Sequence, residues 1–278
     1  MTQRRPDELV ILPSESAPTD AAIVADFTPD LIDVGEHHLC PGCGEPIAIR
    51  AVMDAIAFLG LAERAIAVFG IGCSTAFSNN LDVEVLQALH GRSPSVASGV
   101  SRVRPGLAVF TVQGDGDMAN EGLQEVLHAA ARGENIVCVM LNNGVFGETG
   151  GHLTVTTTIG QRTKNTIEGR NAADHGHPMR IAEMLAQIDG VGYVARGAVN
   201  DAGNVARTKR MMVDAFTAQQ QGLGLSFVEV LTMCPTGWFI PTDEAPDYLA
   251  QTIAGTHGVG VLRSSLAASG SVPGPDEA

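Results

Sequence analysis

Basic residues are scarce in this 278-residue chain: 17 Lys and Arg stand against 31 Asp and Glu, a formal net charge of −14. A general nucleic-acid binder needs a basic face to meet phosphates, so the composition argues against that class. No apolar run approaches the roughly 20 residues that span a bilayer. The opening MTQRRPDELVILPSESAPTD has two arginines but only a short apolar run among several acids, which is not a signal-peptide pattern. Cysteines number five, an odd count, and their spacing does not make a secreted disulfide scaffold. No internal repeat is present. These absences lead to the expectation of a cytoplasmic protein that binds neither membrane nor nucleic acid.

What is present is a globular composition, 45% hydrophobic and 17% charged, with enough length for one large α/β domain. Residues 1–30 are polar and acidic with scattered prolines and are expected to form an arm. Residues 31–250 hold the domain. Residues 251–278, with Ser, Gly and Pro, read as a poorly packed tail.

The chain is organised around residues 107–151. Leu107 to Gln113 (LAVFTVQ) reads as a buried strand, broken by Gly114-Asp115-Gly116-Asp117. A helix follows, with Asn120 as its expected N-cap, an apolar face of Leu123, Val126, Leu127, Ala130 and Ala131, and a stop at Gly133. Ile136 to Leu141 (IVCVML) is a second strand, ending in Asn142-Asn143-Gly144-Val145. In such a βαβ unit the strands are parallel, and both turns lie at the carboxyl edge where open α/β sheets bind ligands. Asp115 offers a carboxylate oxygen, Asn143 an amide oxygen and Val145 a backbone carbonyl. Mg²⁺ wants about six oxygens and commonly shares its shell with phosphates, so the two turns make a diphosphate–Mg²⁺ seat.

Further turns carry chemistry. Cys40-Pro41-Gly42-Cys43-Gly44 precedes a helix opened by Pro46 and running to Ala57. The strand Ala65 to Phe69 runs into Gly70-Ile71-Gly72-Cys73-Ser74, and the strand Phe227 to Leu231 into Thr232-Met233-Cys234-Pro235. Cys40, Cys43, Cys73 and Cys234 thus sit in turns beside Gly or Pro, whereas Cys138 lies inside IVCVML as a small buried hydrophobe. Four thiolates suit tetrahedral Zn²⁺ or a [4Fe–4S] cluster, and a redox or inert role also stands; spacing alone leaves these open. His90-Gly91-Arg92 follows the expected strand Val85 to Leu89 and precedes a helix starting at Ser93-Pro94. An imidazole and a cation there suit an anion, and a solvated loop is the plainer reading. A helix over 178–188, a strand over 191–195 and a long amphipathic helix past Val205, Met212 and Phe216 complete the sheet. Residues 154–174 show no periodicity and read as a long functional loop. The fold class is therefore α/β, a doubly wound, mostly parallel sheet flanked by helices.

Gly-Asp-Gly followed by Asn-Asn around one βαβ unit resembles the signature of thiamine-diphosphate enzymes. More specifically, CPGCG, GIGCS, HGR, GDGD, LNNGVFGETGG and TMCPTGW occur in the order found in the thiamine-binding β subunit of 2-oxoacid:ferredoxin oxidoreductases, over residues 35–240. The resemblance implies one [4Fe–4S] cluster on Cys40, Cys43, Cys73 and Cys234. It implies Mg²⁺ on Asp115, Asn143 and the Val145 carbonyl, and a cofactor-binding set of Gly114, Asp115, Gly116, Asp117, Asn143, Val145, Gly72, Ser74, Gly147 and Thr149. His90 and Arg92 match a segment lining the diphosphate and substrate, which makes them the expected catalytic residues. The implied activity is CoA-dependent oxidative decarboxylation of a 2-oxoacid, with electrons passed to the cluster and then to ferredoxin.

Thiamine enzymes hold the aminopyrimidine in a second domain, where a glutamate activates the cofactor. No second domain is visible here, so the resemblance implies an α subunit that supplies it, and a ferredoxin or ferredoxin-like subunit as acceptor. Thr75, Ala76 and Phe77 stand where some 2-oxoglutarate members carry a basic residue; an apolar wall suits a branched-chain 2-oxoacid such as 2-oxoisovalerate. Members specific for 2-oxoglutarate or pyruvate are the alternatives within the family. Outside it stand a thiamine decarboxylase or carboligase without redox chemistry, and a zinc-stabilised, non-catalytic interaction subunit. Glu148 and His152 depart from the family's pattern of an apolar residue and Gln.

Overall fold

The computed structural model describes residues 31–33 and 37–266. The arm expected over 1–30 and the last part of the expected tail, 267–278, lie outside the described residues. The strands are β1 (Ala65–Phe69), β2 (Glu84–Gln87), β3 (Ala108–Gly114), β4 (Val137–Asn142), the short ribbon β5 (Val145–Phe146) and β6 (His152–Leu153), then β7 (Val191–Ala198), β8 (Leu225–Leu231) and β9 (Gly260–Ser264). The five longer helices are α1 (Glu45–Phe58), α2 (Ser93–Val103), α3 (Leu123–Ala131), α4 (Ile181–Leu185) and α5 (Ala202–Gln220).

The main sheet has the order β2-β1-β3-β4-β8-β7-β9. All neighbours pair in parallel except β7 with β9. Side chains alternate between two cores, as the two-residue period of a strand demands. On β4, Val137, Val139 and Leu141 face a cluster with Ile49 and Val52 of α1 and Met212 and Phe216 of α5. Cys138 and Met140 face the opposite cluster, with Ala97 of α2, Val126 of α3 and Leu185 of α4. Both faces are therefore covered, which is why the central strands read as continuous apolar runs. Each Val, Leu, Ile, Met or Phe among them stabilises the fold by roughly 1.5–3 kcal/mol on full burial. Cys138 is fully buried, as expected of a core residue.

Because β2, β1, β3, β4 and β8 are parallel, the turns HGR, GIGCS, GDGD, NNGV and TMCP all emerge at one carboxyl edge. The chain leaves β1 for β2 in one direction and returns for β3 on the other side. That reversal opens a crevice between the turns after β1 and β3.

Several expectations shift. Residues 251–266 are not a loose tail: Ile253 is fully buried and β9 adds an antiparallel edge strand, Tyr193 opposite Ser264. Asn120 does not cap α3. Residues Gly116–Glu121 form a wide π-type turn, and the Asn120 side chain accepts a hydrogen bond from the Val155 amide at 3.0 Å. The helix expected over 178–188 shrinks to Ile181–Leu185, and the strand expected to reach Leu89 stops at Gln87.

Candidate active site

Asp117 joins two of the turns. Its Oδ1 accepts from the Gly91 amide at 2.7 Å and lies 2.5 Å from His90 Nδ1, and its Oδ2 accepts from Gln113 Nε2 at 2.6 Å. The close approach needs glycine at position 91, which has φ +77 and whose added Cβ would lie 2.5 Å from the Glu121 backbone. Asp117 was expected to bind cofactor. Its carboxylate ties the β2 turn to the β3 turn, and the residue lines the cavity.

Asp115 is 1% exposed and differently placed. Its Oδ2 accepts from Thr154 Oγ1 at 2.7 Å and Thr156 Oγ1 at 2.5 Å, while its Oδ1 is buried with no partner. Burial pushes its carboxyl up to about 6, against the lowering pull of those two hydroxyls. An unpartnered buried carboxylate oxygen is costly unless something charged meets it. Asn143 Oδ1 accepts only the Val145 amide, at 3.1 Å, which leaves a lone pair. Gly144, at φ +69, makes the turn that returns Val145 to the same wall. This donor set fits a hard divalent cation shared with a diphosphate.

The cavity over these atoms is lined by Glu45, Ile71, Gly72, Cys73, His90, residues 114–117, Asn143 and residues 145–149. Of the expected residues it gathers His90, Gly114, Asp115, Gly116, Asp117, Asn143, Val145, Gly72, Gly147 and Thr149. Two expected residues fall elsewhere. Arg92 pairs with Glu125 of α3 at 2.6 Å, and Ser74 is buried in the helical turn Cys73–Asn80. Thr75, Ala76 and Phe77 do not line the cavity either; its apolar wall is Ile71 and Phe146. Its volume is about 130 Å³, below the roughly 300–1,000 Å³ of a complete ligand pocket.

Sequence reasoning missed Glu45, whose side chain is buried on the first turn of α1. Its Oε1 accepts weakly from Asn143 Nδ2 at 3.5 Å and its Oε2 has no partner. Burial, then the charges of Asp115 and Glu148, push it up to about 8. A Glu directly after a CPGCG turn was the available signal. Also missed was the role of Arg170. Its guanidinium donates to the carbonyls of Thr154, Val155, Thr157, His175, Gly176 and His177, at 2.7–3.1 Å. One cation thus folds the aperiodic loop so that Thr154 and Thr156 reach Asp115 and Thr157 reaches the Gly144 carbonyl.

Of the four cysteines outside the core, Cys73 and Cys234 flank Gly147. A β-carbon there would lie 3.2 Å from Cys73 Sγ and 3.6 Å from Cys234 Sγ. Burial raises the Cys43, Cys73 and Cys234 thiols, and each also feels another cysteine of the set; Cys43 and Cys234 both sense Cys40. Were these four sulfurs ionised together, they would need a metal centre to neutralise them, which is the chemistry a thiolate-bound metal supplies. Among the described residues no three His, Cys, Asp or Glu side chains are arranged around a single metal ion.

Comparison with known proteins agrees with this geometry. The family of the thiamine pyrophosphate enzyme, C-terminal TPP binding domain, matches residues 70–230. The chain is 37% identical over 199 residues to the ketoisovalerate oxidoreductase subunit VorA of Methanothermobacter marburgensis, covering 72% of this chain and 42% of the relative. It is 34% identical over 197 residues to the 2-oxoglutarate synthase subunit KorB of Archaeoglobus fulgidus, covering 71% and 69%. The chain thus spans less than half the length of its VorA relative. Its fold matches a 2-oxoglutarate:ferredoxin oxidoreductase from Magnetococcus marinus, solved with 2-oxoglutarate, coenzyme A and succinyl-CoA bound, with TM-score 0.69, 24% identity, and coverage of 88% and 87%. The catalytic-edge geometry and these relatives agree, and the chain belongs to the thiamine pyrophosphate-binding subunits of the 2-oxoacid oxidoreductases.

Proposed function

We propose that this chain is the thiamine diphosphate- and Mg²⁺-binding subunit of a CoA-dependent 2-oxoacid:ferredoxin oxidoreductase, acting on a branched-chain 2-oxoacid. The observation that carries the reading is the buried, unpartnered Oδ1 of Asp115, aimed into the same small cavity as Asn143 and Val145. Asp115, Asn143 and the Val145 carbonyl would hold Mg²⁺, and Cys40, Cys43, Cys73 and Cys234 a [4Fe–4S] cluster.

When bound, thiamine diphosphate supplies the carbanion chemistry of a 2-oxoacid. This chain's residues bind, orient and exclude water. Thr154 and Thr156 hold Asp115 so that one oxygen stays free. Asp117 fixes His90 Nδ1 and keeps the imidazole against Phe146, ring centroids 6.3 Å apart, at the cavity wall. Ile71 and Phe146 present apolar surface to a substrate side chain, and among the described lining residues there is no Lys or Arg to meet a second carboxylate. The incomplete cavity supports a partner subunit that closes the pyrimidine side and brings the activating glutamate; ferredoxin or a ferredoxin-like subunit is the acceptor. All five cysteines are free, as in a reducing cytoplasm, and no helix among the described residues is long and apolar enough to cross a membrane.

The test is anaerobic purification of the full chain with whatever co-purifies, followed by iron, sulfide, zinc and thiamine analysis. Then 2-oxoacids are assayed with coenzyme A and a viologen dye. About four irons and four sulfides per chain are expected, lost in Cys73→Ser and kept in Cys138→Ala. One zinc and no iron would overturn the electron-transfer reading.

A further inference from the structure

Arg196 is the largest of the fully buried side chains, at 1% exposure in the middle of β7. Opposite it on β8 stands Glu229, also 1% exposed, and β8 in turn sets Glu229 beside Met140 of β4, two residues before Asn142. The two-residue period of a strand brings Met140 and Asn142 to the same face, so three neighbouring strands present one continuous polar line. Arg196 Nε donates to Glu229 Oε2 at 2.8 Å, and Asn142 Nδ2 donates to Glu229 Oε1 at 2.6 Å. Asn142 Oδ1 then accepts the Gly144 amide at 3.0 Å. At the other end Arg196 grips Glu183 of α4 with both terminal nitrogens, at 3.0 and 2.6 Å, and donates to the Gly258 carbonyl at 3.0 Å. The line therefore runs from a half-exposed carboxylate, through the sheet, to the turn that carries Asn143 and Val145.

Stability alone does not account for it. A buried ion pair gains little over apolar residues of the same volume, because desolvating both charges offsets their attraction. What it does supply is direction, since a guanidinium fork and two carboxylates fit in one geometry. We propose that Glu183, Arg196 and Glu229 are positioning residues that set the Asn142–Gly144 turn, and through it the seat of the divalent cation and diphosphate. The inference rests on the thiamine diphosphate reading of that turn. A second contact offers an independent reporter: Trp238, the sole tryptophan, donates its indole N–H to the Asn143 carbonyl at 2.7 Å.

The full chain, with whatever co-purifies, carries the test. This chain is labelled with fluorotryptophan, so that Trp238 gives a single fluorine resonance. Glu229→Gln places an amide N–H₂ against either Arg196 or Asn142, both donors, and so disrupts the line without changing its volume. The expected result is a shifted Trp238 resonance and a rise of about tenfold or more in the dissociation constant for thiamine diphosphate at fixed Mg²⁺. Glu183→Gln, at the half-exposed end, shifts both readouts in the same direction by less, and decides the matter if Glu229→Gln fails to fold. Asp54→Asn is the control. It breaks another buried ion pair, with Lys209, about 13 Å along α1 from the cavity, and should lower the melting temperature while leaving both readouts as in the wild type. Folded Glu variants with an unmoved resonance and wild-type affinity overturn the proposal, as does a control that shifts both readouts equally. A wild-type chain that binds no thiamine diphosphate sinks the functional reading instead, and the Trp238 comparison still judges the positioning line.

Discussion

The Gly91 amide donates to the Asp117 carboxylate across 2.7 Å, so a residue of the β3 turn holds the β2 turn in place. The same carboxylate takes His90 and Gln113, and every one of its contacts requires an acceptor. Asp117→Asn turns one oxygen into a donor facing other donors. The expected cost is about 1–3 kcal/mol, from buried groups left unpaired. For a domain of this size that is a fall of very roughly 2–12 °C in melting temperature. Thiamine diphosphate affinity should fall with it, because His90 loses its anchor. Calorimetric melting and cofactor titration on the same preparation check this; a variant as stable as wild type sinks the idea.

Arg170 gives a sharper outcome, because six backbone carbonyls depend on one guanidinium. Arg170→Ala leaves several of them buried without donors and costs about 2 kcal/mol or more. Its main effect should be local: residues 154–177 open, Thr154 and Thr156 let go of Asp115, and thiamine diphosphate binding is lost. Limited proteolysis is expected to cut first within that segment, while wild type resists. Arg170→Lys should recover little, since an ammonium cannot reproduce the fork. Cleavage elsewhere at wild-type rate would show that the loop is held by something other than Arg170.

The contrast between Asp115 and Arg170 explains what could be read from the sequence. Asp115, Asn143, Cys73 and Cys234 stood out because each lies just past a strand end, where apolar runs stop abruptly and the parallel sheet brings the ends together; Cys40 and Cys43 stand instead in the turn before α1. The strands themselves were legible to within a few residues for the same reason. Arg170 was not, because its role is made of backbone carbonyls in an aperiodic loop, and no side-chain pattern records them. Arg92 lies outside the cavity lining because Glu125, 33 residues later, pairs with it in a geometry that spacing does not reveal. The strand β9 was hidden because Gly260–Ser264 is a partly exposed edge strand without the apolar run that marked the others.

Glu134 yields a pH prediction. Although burial pushes its carboxyl up, the guanidinium groups of Arg102 and Arg132 outweigh that and hold it below the usual carboxylate range. A carboxyl lowered in the folded state contributes stability that is present above its unfolded value, near 4.3, and is lost as pH falls through the lower folded value. Glu134→Gln should therefore melt below wild type at neutral pH, by an amount corresponding to about 1–2 kcal/mol. The gap should persist down to about pH 5 and close below about pH 4. Melting curves across that range test the sign directly: a gap that widens on acidification would contradict it.

Under the proposed branched-chain activity, substrate choice turns on Glu148, which is exposed and lines the cavity; its charge, after burial and the charge of Asp115, helps raise the Glu45 carboxyl. A 2-oxoacid with a branched aliphatic side chain meets Ile71 and Phe146 there at no electrostatic cost. One with a distal carboxylate meets a like charge, with no Lys or Arg among the described lining residues to offset it. Near a protein surface such a repulsion is worth on the order of 1–4 kcal/mol at close range, enough for about tenfold or more in relative rate. In the assembled enzyme, Glu148→Gln should therefore lower the kcat/KM ratio of 2-oxoisovalerate over 2-oxoglutarate by about tenfold. The change should come from the 2-oxoglutarate side, since the branched substrate never used the charge. If the wild-type enzyme already favours 2-oxoglutarate, a cation from the partner subunit must outweigh Glu148, and the branched-chain reading falls. If the ratio is the same in both proteins, Glu148 faces away from the substrate and discrimination lies with Ile71, Phe146 or the partner's wall.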